Sequence, residues 1–195
     1  MQMRALQQRI EAEGRNLGSG ILKIDSLLNH QIDPQLMYEM GVEIGRRFQS
    51  IPIDRILTAE ISGIAPSLMA GYALNVPVVY ARKIKPITMF GPVFLETAPS
   101  HTKGAEVNLL VSAEFMPPDE NILIIDDFLA SGKTLRALAR IVESARSRVV
   151  GVAVVVEKSF EGGRQYMVDK GYKMPIEALV QITSMDNGQI LFAED

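Results

Sequence analysis

Two adjacent carboxylates, Asp126 and Asp127, end a short apolar run from Ile122 to Ile125. Such a run reads as a buried strand. A small-residue turn follows, Ala130-Ser131-Gly132, and Lys133 and Thr134 open a helix. The turn aims backbone N–H groups, together with the Ser131 and Thr134 hydroxyls, at one point. That is a cradle for a phosphate at a helix N-terminus. Paired carboxylates beside a phosphate suit a ligand that also carries hydroxyls and a divalent cation. A phosphorylated sugar meets all three demands. The competing reading is a nucleotide-triphosphate P-loop, because Gly132-Lys133-Thr134 spells the end of one. That motif needs a glycine five positions before Gly132. Asp127 stands there, and its charge would repel phosphate oxygens.

Three further segments can join this chemistry. Glu60-Ile61-Ser62-Gly63-Ile64-Ala65-Pro66 reads as a strand-to-helix turn in which Ser62 and Gly63 bring backbone close to an anion. Arg82, Lys83 and Lys85 put three cations within four residues, which complements a diphosphate. Glu157-Lys158-Ser159-Phe160 sets a donor beside an aromatic ring, so Lys158 can bond a carbonyl while Phe160 stacks on a heterocycle. Taken singly, each is also an ordinary turn, a solvated charge cluster or a strand end.

The elements between these segments bring them together. Apolar strands are predicted at 55–59, 76–80, 121–125 and 149–156, with no polar alternation, as when both sheet faces are covered. Helices are predicted at 64–74, with Asn75 as a left-handed stop, and at 133–147. The alternation makes a doubly wound parallel sheet of the α/β class. Ligands of such sheets sit beyond the carboxyl ends of the strands, where all four segments fall. Outside this core, residues 3–13 read as a polar helix ending at Gly14, and 20–28 as a loose strand. Asp33-Pro34 starts a helix that buries Met40, Ile44 and Phe48. Residues 83–104 lack sustained periodicity, and a loop that long is expected to be a lid or binding loop. Strand character resumes at 106–111. Residues 161–171 read as a short helix, and Asp186-Asn187-Gly188 as a hairpin turn between 176–183 and 189–192.

Composition bounds the rest. A chain of 195 residues suits one domain, or one domain with a small cap. With no cysteine and only two histidines, His30 and His101, it excludes disulfides, cysteine-based zinc sites and a histidine-rich metal site. The formal charge of −3, without a Lys/Arg run, gives no reason to expect nucleic acid or an anionic membrane as partner. No apolar run reaches the ~20 residues of a membrane span, and Met1 to Gly14 lacks a signal-peptide core. The expectation is a cytoplasmic protein.

The stretch from Ile122 to Thr134 resembles the phosphoribosyl-diphosphate motif of the type I phosphoribosyltransferases, departing from it at Lys133, where the usual motif has a second glycine. Segments Leu22–Asp33, Ile61–Lys83, Ile122–Leu138 and Val156–Arg164 extend the resemblance to bacterial purine enzymes of that family. The likeness covers nearly the whole chain and is weakest over 84–120. It implies a single domain over 1–195, with a core at about 34–160, a hood from about 1–33 and 161–195, and a flexible loop at about 84–105 that closes over the substrates. Within that loop, Ser100-His101-Thr102-Lys103 is the part expected to reach the site, with His101 an exposed loop residue. By match, Leu22, Asn29 and Lys158 contact a purine under the hood. Ala130, Ser131, Gly132, Lys133 and Thr134 hold the sugar phosphate, and Ser62, Gly63, Arg82 and Lys83 the diphosphate.

The reaction so implied is transfer of ribosyl phosphate from phosphoribosyl diphosphate to N9 of a purine, xanthine by preference. Mg²⁺ bridges substrate oxygens, and Asp126 and Asp127 hold the ribose hydroxyls directly or through the metal's waters. A homodimer is implied, with the surface near Arg82 to Lys85 at the contact. Lys158, a donor only, suits a 6-oxo group and disfavours adenine's 6-amino group. Asn29 both donates and accepts, so it can read a 2-oxo group or, flipped, a 2-amino group. Guanine and hypoxanthine therefore stay open as substrates. A purine-responsive regulator on the same fold would need a DNA-binding module, for which the residues before the hood are too short and not basic.

Overall fold

In the computed structural model, which describes residues 2–99 and 106–194, the chain forms five α-helices and three sheets. Helix α1 (Arg4–Glu13) leads into a small hairpin, β1 (Arg15–Asn16) with β2 (Leu22–Lys23), and a one-turn π-helix, Asp25–Asn29. The strand expected over 20–28 is thus only two residues long. Leu27 and Leu28 turn into the core from the helical turn instead of alternating along an extended chain. Helix α2 (Pro34–Phe48) starts as its sequence dictates. The Asp33 carboxylate accepts from the backbone N–H groups of Gln35 and Leu36, and Pro34 takes the first helical position, where no N–H is needed.

The central sheet comes next in the chain. Strand β3 (Arg55–Ala59) is followed by α3 (Ile64–Leu74), which ends at Asn75 with φ 55°. Strand β4 (Val78–Ala81) follows, displaced by a residue or two from the expected 76–80 because Pro77 cannot donate to the ladder. Strands β5 (Val93–Pro99) and β6 (Glu106–Ser112) form a separate antiparallel ribbon, tied to the main sheet by the backbone pair Arg82 and Leu110. The region expected to be an aperiodic loop therefore contains one strand of a β-ribbon, Val93–Pro99. The irregular part is 83–92, and Ser100 to Lys103 lie outside the described residues. The chain returns as β7 (Asn121–Leu129), α4 (Lys133–Ser144), β8 (Arg148–Lys158), α5 (Gly163–Asp169), β9 (Ile176–Ser184) and β10 (Leu191–Phe192).

The sheet order is β10-β9-β8-β7-β3-β4, parallel except for β10, which closes an antiparallel hairpin with β9 around Asn187 and Gly188. The C-terminal segment does not stand apart as a hood. Strand β9 is a full member of the sheet, paired along β8 from Val152–Ile176 to Lys158–Ile182. Both faces of the strands are buried, which explains their unbroken apolar runs. Ile56, Leu123, Ile125, Ala153 and Val155 pack under α1, α2 and α3. Leu57, Ile122, Ile124, Val152 and Val154 pack under α4 and α5. No helix of the described chain is long and apolar enough to cross a membrane.

Candidate active site

A cleft of about 740 Å³ opens at the carboxyl ends of β3, β7 and β8. Its ceiling is the N-terminal hairpin and π-turn, through Ile21, Leu22 and Asn29, and one wall is the β5–β6 ribbon, through Ala98, Val107 and Leu109. The volume suits a small organic ligand of a few rings.

Asp126 and Asp127 lie inside strand β7, not after it. The strand runs on to Leu129, and Asp126 pairs with Val154 of β8. Asp126 is 6% exposed, and its Oδ1 accepts from the Asp127 N–H at 3.0 Å. Burial pushes the Asp126 carboxyl well above the ordinary carboxylate range. The neighbouring Asp127 charge pushes the same way, and Lys83 opposes it. Asp127 is half-buried. Its Oδ1 accepts from the Phe128 N–H at 2.9 Å, and its Oδ2 from the Asn29 amide at 3.2 Å.

The phosphate loop is shaped by what lies behind it. Gly132 has φ +77°, and a Cβ there would come within 2.7 Å of the Gly163 carbonyl oxygen at the start of α5. Only glycine meets both conditions. Ala130, Gly132 and Thr134 line the cleft. Lys133 is exposed, and neither it nor Ser131 is among the lining residues. The second turn expected to approach an anion is Glu60 to Gly63, with a cis peptide between Glu60 and Ile61, and it leads into the N-terminus of α3. Ser62, Gly63 and Lys83 reach the cleft.

Two more expected site residues, besides Ser131 and Lys133, are absent from the lining of the cleft. Arg82 faces away from the cleft. Its guanidinium lies 5.7 Å from the Tyr80 ring centre and its Nε 3.0 Å from Glu60, and its backbone is bonded to Leu110 of the ribbon. Phe160 is 44% exposed and outside the cleft. The aromatic that lines it is Phe128, whose ring centre is 5.2 Å from the Lys158 ammonium. Phe128 pairs with Val156 of β8, so the sheet register brings it beside Lys158. No local sequence signal carries that information. Leu22, Asn29 and Lys158 do meet here. The Asn29 amide donates to Ser62 Oγ at 2.9 Å as well as to Asp127, spanning the diphosphate turn and the acid pair.

A parallel α/β sheet with an acid pair, two turns expected to approach anions and a hydrophobic ceiling over its carboxyl edge defines an enzyme of phosphosugars. The profile of the phosphoribosyl transferase domain matches residues 57–186, and the chain belongs to the phosphoribosyltransferase family. It is 45% identical over 193 residues to a xanthine phosphoribosyltransferase of Levilactobacillus brevis, covering 99% of this chain and all of the relative. A xanthine phosphoribosyltransferase of Deinococcus deserti is 46% identical over 192 residues, 98% of each chain. Among solved structures, an adenine phosphoribosyltransferase of Giardia lamblia superposes with a TM-score of 0.74 at 19% identity, covering 94% of this chain and 99% of that one. One from Thermoanaerobacter pseudethanolicus gives 0.73 at 22% identity over 90% and 99%. Those structures share the fold.

Proposed function

We propose that this protein transfers 5-phosphoribosyl from phosphoribosyl diphosphate to N9 of xanthine, releasing diphosphate, as a purine-salvage enzyme of the cytoplasm. The observation that carries this reading is the convergence, in one cleft, of the acid pair, both anion-binding turns and the Leu22–Asn29–Lys158 group. The near-full-length relatives named xanthine phosphoribosyltransferase support the choice of base.

The chemistry follows from the placement. The loop from Ala130 to Thr134 takes the 5′-phosphate on backbone N–H groups, and Ser62, Gly63 and Lys83 take the diphosphate. Asp127 accepts from the ribose hydroxyls. Asp126 is buried beside it, its carboxyl pushed above the ordinary carboxylate range. As positive charge develops at the anomeric carbon, the Asp127 carboxylate stabilises it from a fixed position without solvent reorganisation. The purine stands between Leu22 and Phe128, its 6-oxo group toward Lys158 and its 2-position toward Asn29. The ceiling and the ribbon keep out water, which would compete as acceptor.

Mg²⁺ fits the acid pair as a partly substrate-held ion. No group of three or more acidic or histidine side chains able to cage a metal is found among the described residues. Two carboxylates are what a magnesium ion bound mainly through phosphate oxygens and water needs. Asp126 and Asp127 would hold it, and the bound ion would neutralise charge on the departing diphosphate.

Incubating protein, phosphoribosyl diphosphate, Mg²⁺ and each purine in turn, and measuring nucleotide, tests the reading. Xanthine is expected to give the highest kcat/KM, and no product from any purine would defeat it. In the same assay Lys158→Ala is expected to raise KM for xanthine about ten- to a hundredfold, the worth of a charge-assisted bond to a buried carbonyl. KM for phosphoribosyl diphosphate should stay within about twofold, because Lys158 lies on the base side of the cleft.

The dimer belongs to the same proposal. Helix α3 carries no charged residue, yet Leu68 and Tyr72 face outward, Tyr72 at 79% exposure. Next to the edge strand β4, Ile87 is 90% and Phe90 80% exposed. An uncharged helix with exposed Leu68 and Tyr72, and bare apolar side chains next to the edge strand, make a surface that a second copy of the chain would cover. Light scattering at micromolar concentration should give twice the 21.5 kDa chain mass, and Tyr72→Glu should shift it toward the monomer. A monomeric parent protein would refute the dimer.

A further inference from the structure

Lys158 does not stand alone at the base end of the cleft. Its ammonium donates to the Gly20 carbonyl oxygen at 2.6 Å and lies 3.5 Å from Glu161 Oε1. Its side chain is only 12% exposed and that of Glu161 25%. Among the described residues Glu161 is the one carboxylate paired with it. Glu161 closes the turn Ser159–Glu161, which the Ser159 hydroxyl pins to strand β9 by donating to the Ile182 carbonyl at 3.1 Å. Gly20 comes close against the same turn. A Cβ there would stand 3.5 Å from Glu161 Oε1 and 3.7 Å from the Phe160 ring. Phe160, expected in the pocket, is thus part of the platform under the ceiling loop.

An ammonium group has three donors. One is engaged by the Gly20 carbonyl, the Glu161 carboxylate stands at ion-pair distance from the ammonium, and Lys158 borders the cleft, where a further donor is available. A lysine is otherwise a flexible point charge that searches many rotamers. The geometry points to Glu161 as a positioning residue for base recognition. Together with the Gly20 carbonyl, it holds Lys158 so that a further N–H meets the 6-oxo group of the purine. This rests on the reading of the cleft given above and adds a residue that acts through Lys158 without touching substrate. It also links the ceiling to the sheet, because Lys158 bonds the ceiling and the sheet-anchored turn at once.

The test is a double-mutant cycle on Glu161→Gln and Lys158→Ala, read as KM and kcat for xanthine and for guanine. Glu161→Gln keeps the shape of the side chain and removes its charge. It is expected to raise KM for both 6-oxo purines about three- to tenfold, between the worth of an exposed ion pair and that of a charge-assisted hydrogen bond. KM for phosphoribosyl diphosphate should hold, and Glu161→Asp should restore part of the loss. In the Lys158→Ala background the same change should have no further effect, since there is no ammonium left to position. An equal added loss in that background, or a rise in KM for both substrates together, would make Glu161 a purely structural turn residue and overturn the inference. Xanthine turnover by the parent protein with no response to Glu161→Gln would overturn it alone. A parent protein that converts no purine would bring down the functional reading and this inference with it.

Discussion

Asp127→Asn is expected to lower turnover by two to three orders of magnitude, about what the loss of one fixed electrostatic partner of the transition state costs. The amide keeps the size of the carboxylate and can still accept the Phe128 N–H, so the strand end is undisturbed. The melting temperature should move by no more than about 2–4 °C, the equivalent of ~1 kcal/mol for a chain of this size. What disappears is the negative charge facing the anomeric carbon. Asp126→Asn gives the contrast. That carboxyl is buried beside a like charge and pushed well above the ordinary range, so an amide stands in for its neutral form. Its loss of activity should be clearly smaller than that of Asp127→Asn. Equal losses at both positions would mean that the two acids act as one ionised unit. A fall in melting temperature matching the fall in rate would make Asp127 a structural residue.

The unequal roles of the two acids mark a boundary of what the residues alone disclose. The motif from Ile122 to Thr134 suggests its own chemistry, because residue type and spacing carry most of the constraint: an apolar run, two adjacent acids, a glycine where φ is positive. The parallel sheet follows for a similar reason, since strands without polar alternation have only one way to be satisfied. That the Asp126 carboxyl is pushed up follows from its burial, and burial is a property of packing between distant segments. Phe128 and Phe160 show the same limit. Both are aromatics next to a strand end, and only the pairing of β7 with β8 decides that Phe128 enters the cleft. The charge and chain position of Arg82 do not tell which way its side chain turns. Backbone bonding of Arg82 to the ribbon, and Glu60 as an ion partner, take its guanidinium out of the site, while Lys83 goes in. The ribbon is hidden in residues 83–104 because Val93 to Pro99 pairs with a strand beyond that stretch, at 106–112.

The second large effect is expected from one methyl group. Gly63 has an ordinary helical φ of −71°, so its backbone conformation is open to any residue. The need for glycine is spatial. A Cβ at this position would lie 2.2 Å from Thr58 Oγ1 and 3.3 Å from both the Ala59 carbonyl oxygen and Asp126 Oδ1. Thr58 is fully buried in β3 and cannot swing aside as a long side chain would. Gly63→Ala therefore has to push the diphosphate turn away from the acid pair. A displacement of about 1 Å at a reacting site costs roughly a hundredfold in rate, and overpacking of this kind about 1–3 kcal/mol in stability. The kcat/KM for phosphoribosyl diphosphate is expected to fall by about that factor, with xanthine KM much less affected. The Thr58 hydroxyl has no hydrogen-bond partner among the described residues, so removing it forfeits no bond. Thr58→Ala alone should be mild, and Gly63→Ala with Thr58→Ala should regain most of the lost activity, a large positive coupling between two neighbouring positions. If the two losses simply add, contact with Thr58 is not what reserves position 63 for glycine. The demand would then come from the ligand side, where the backbone N–H groups of Ser62 and Gly63 must approach the diphosphate without a side chain between them.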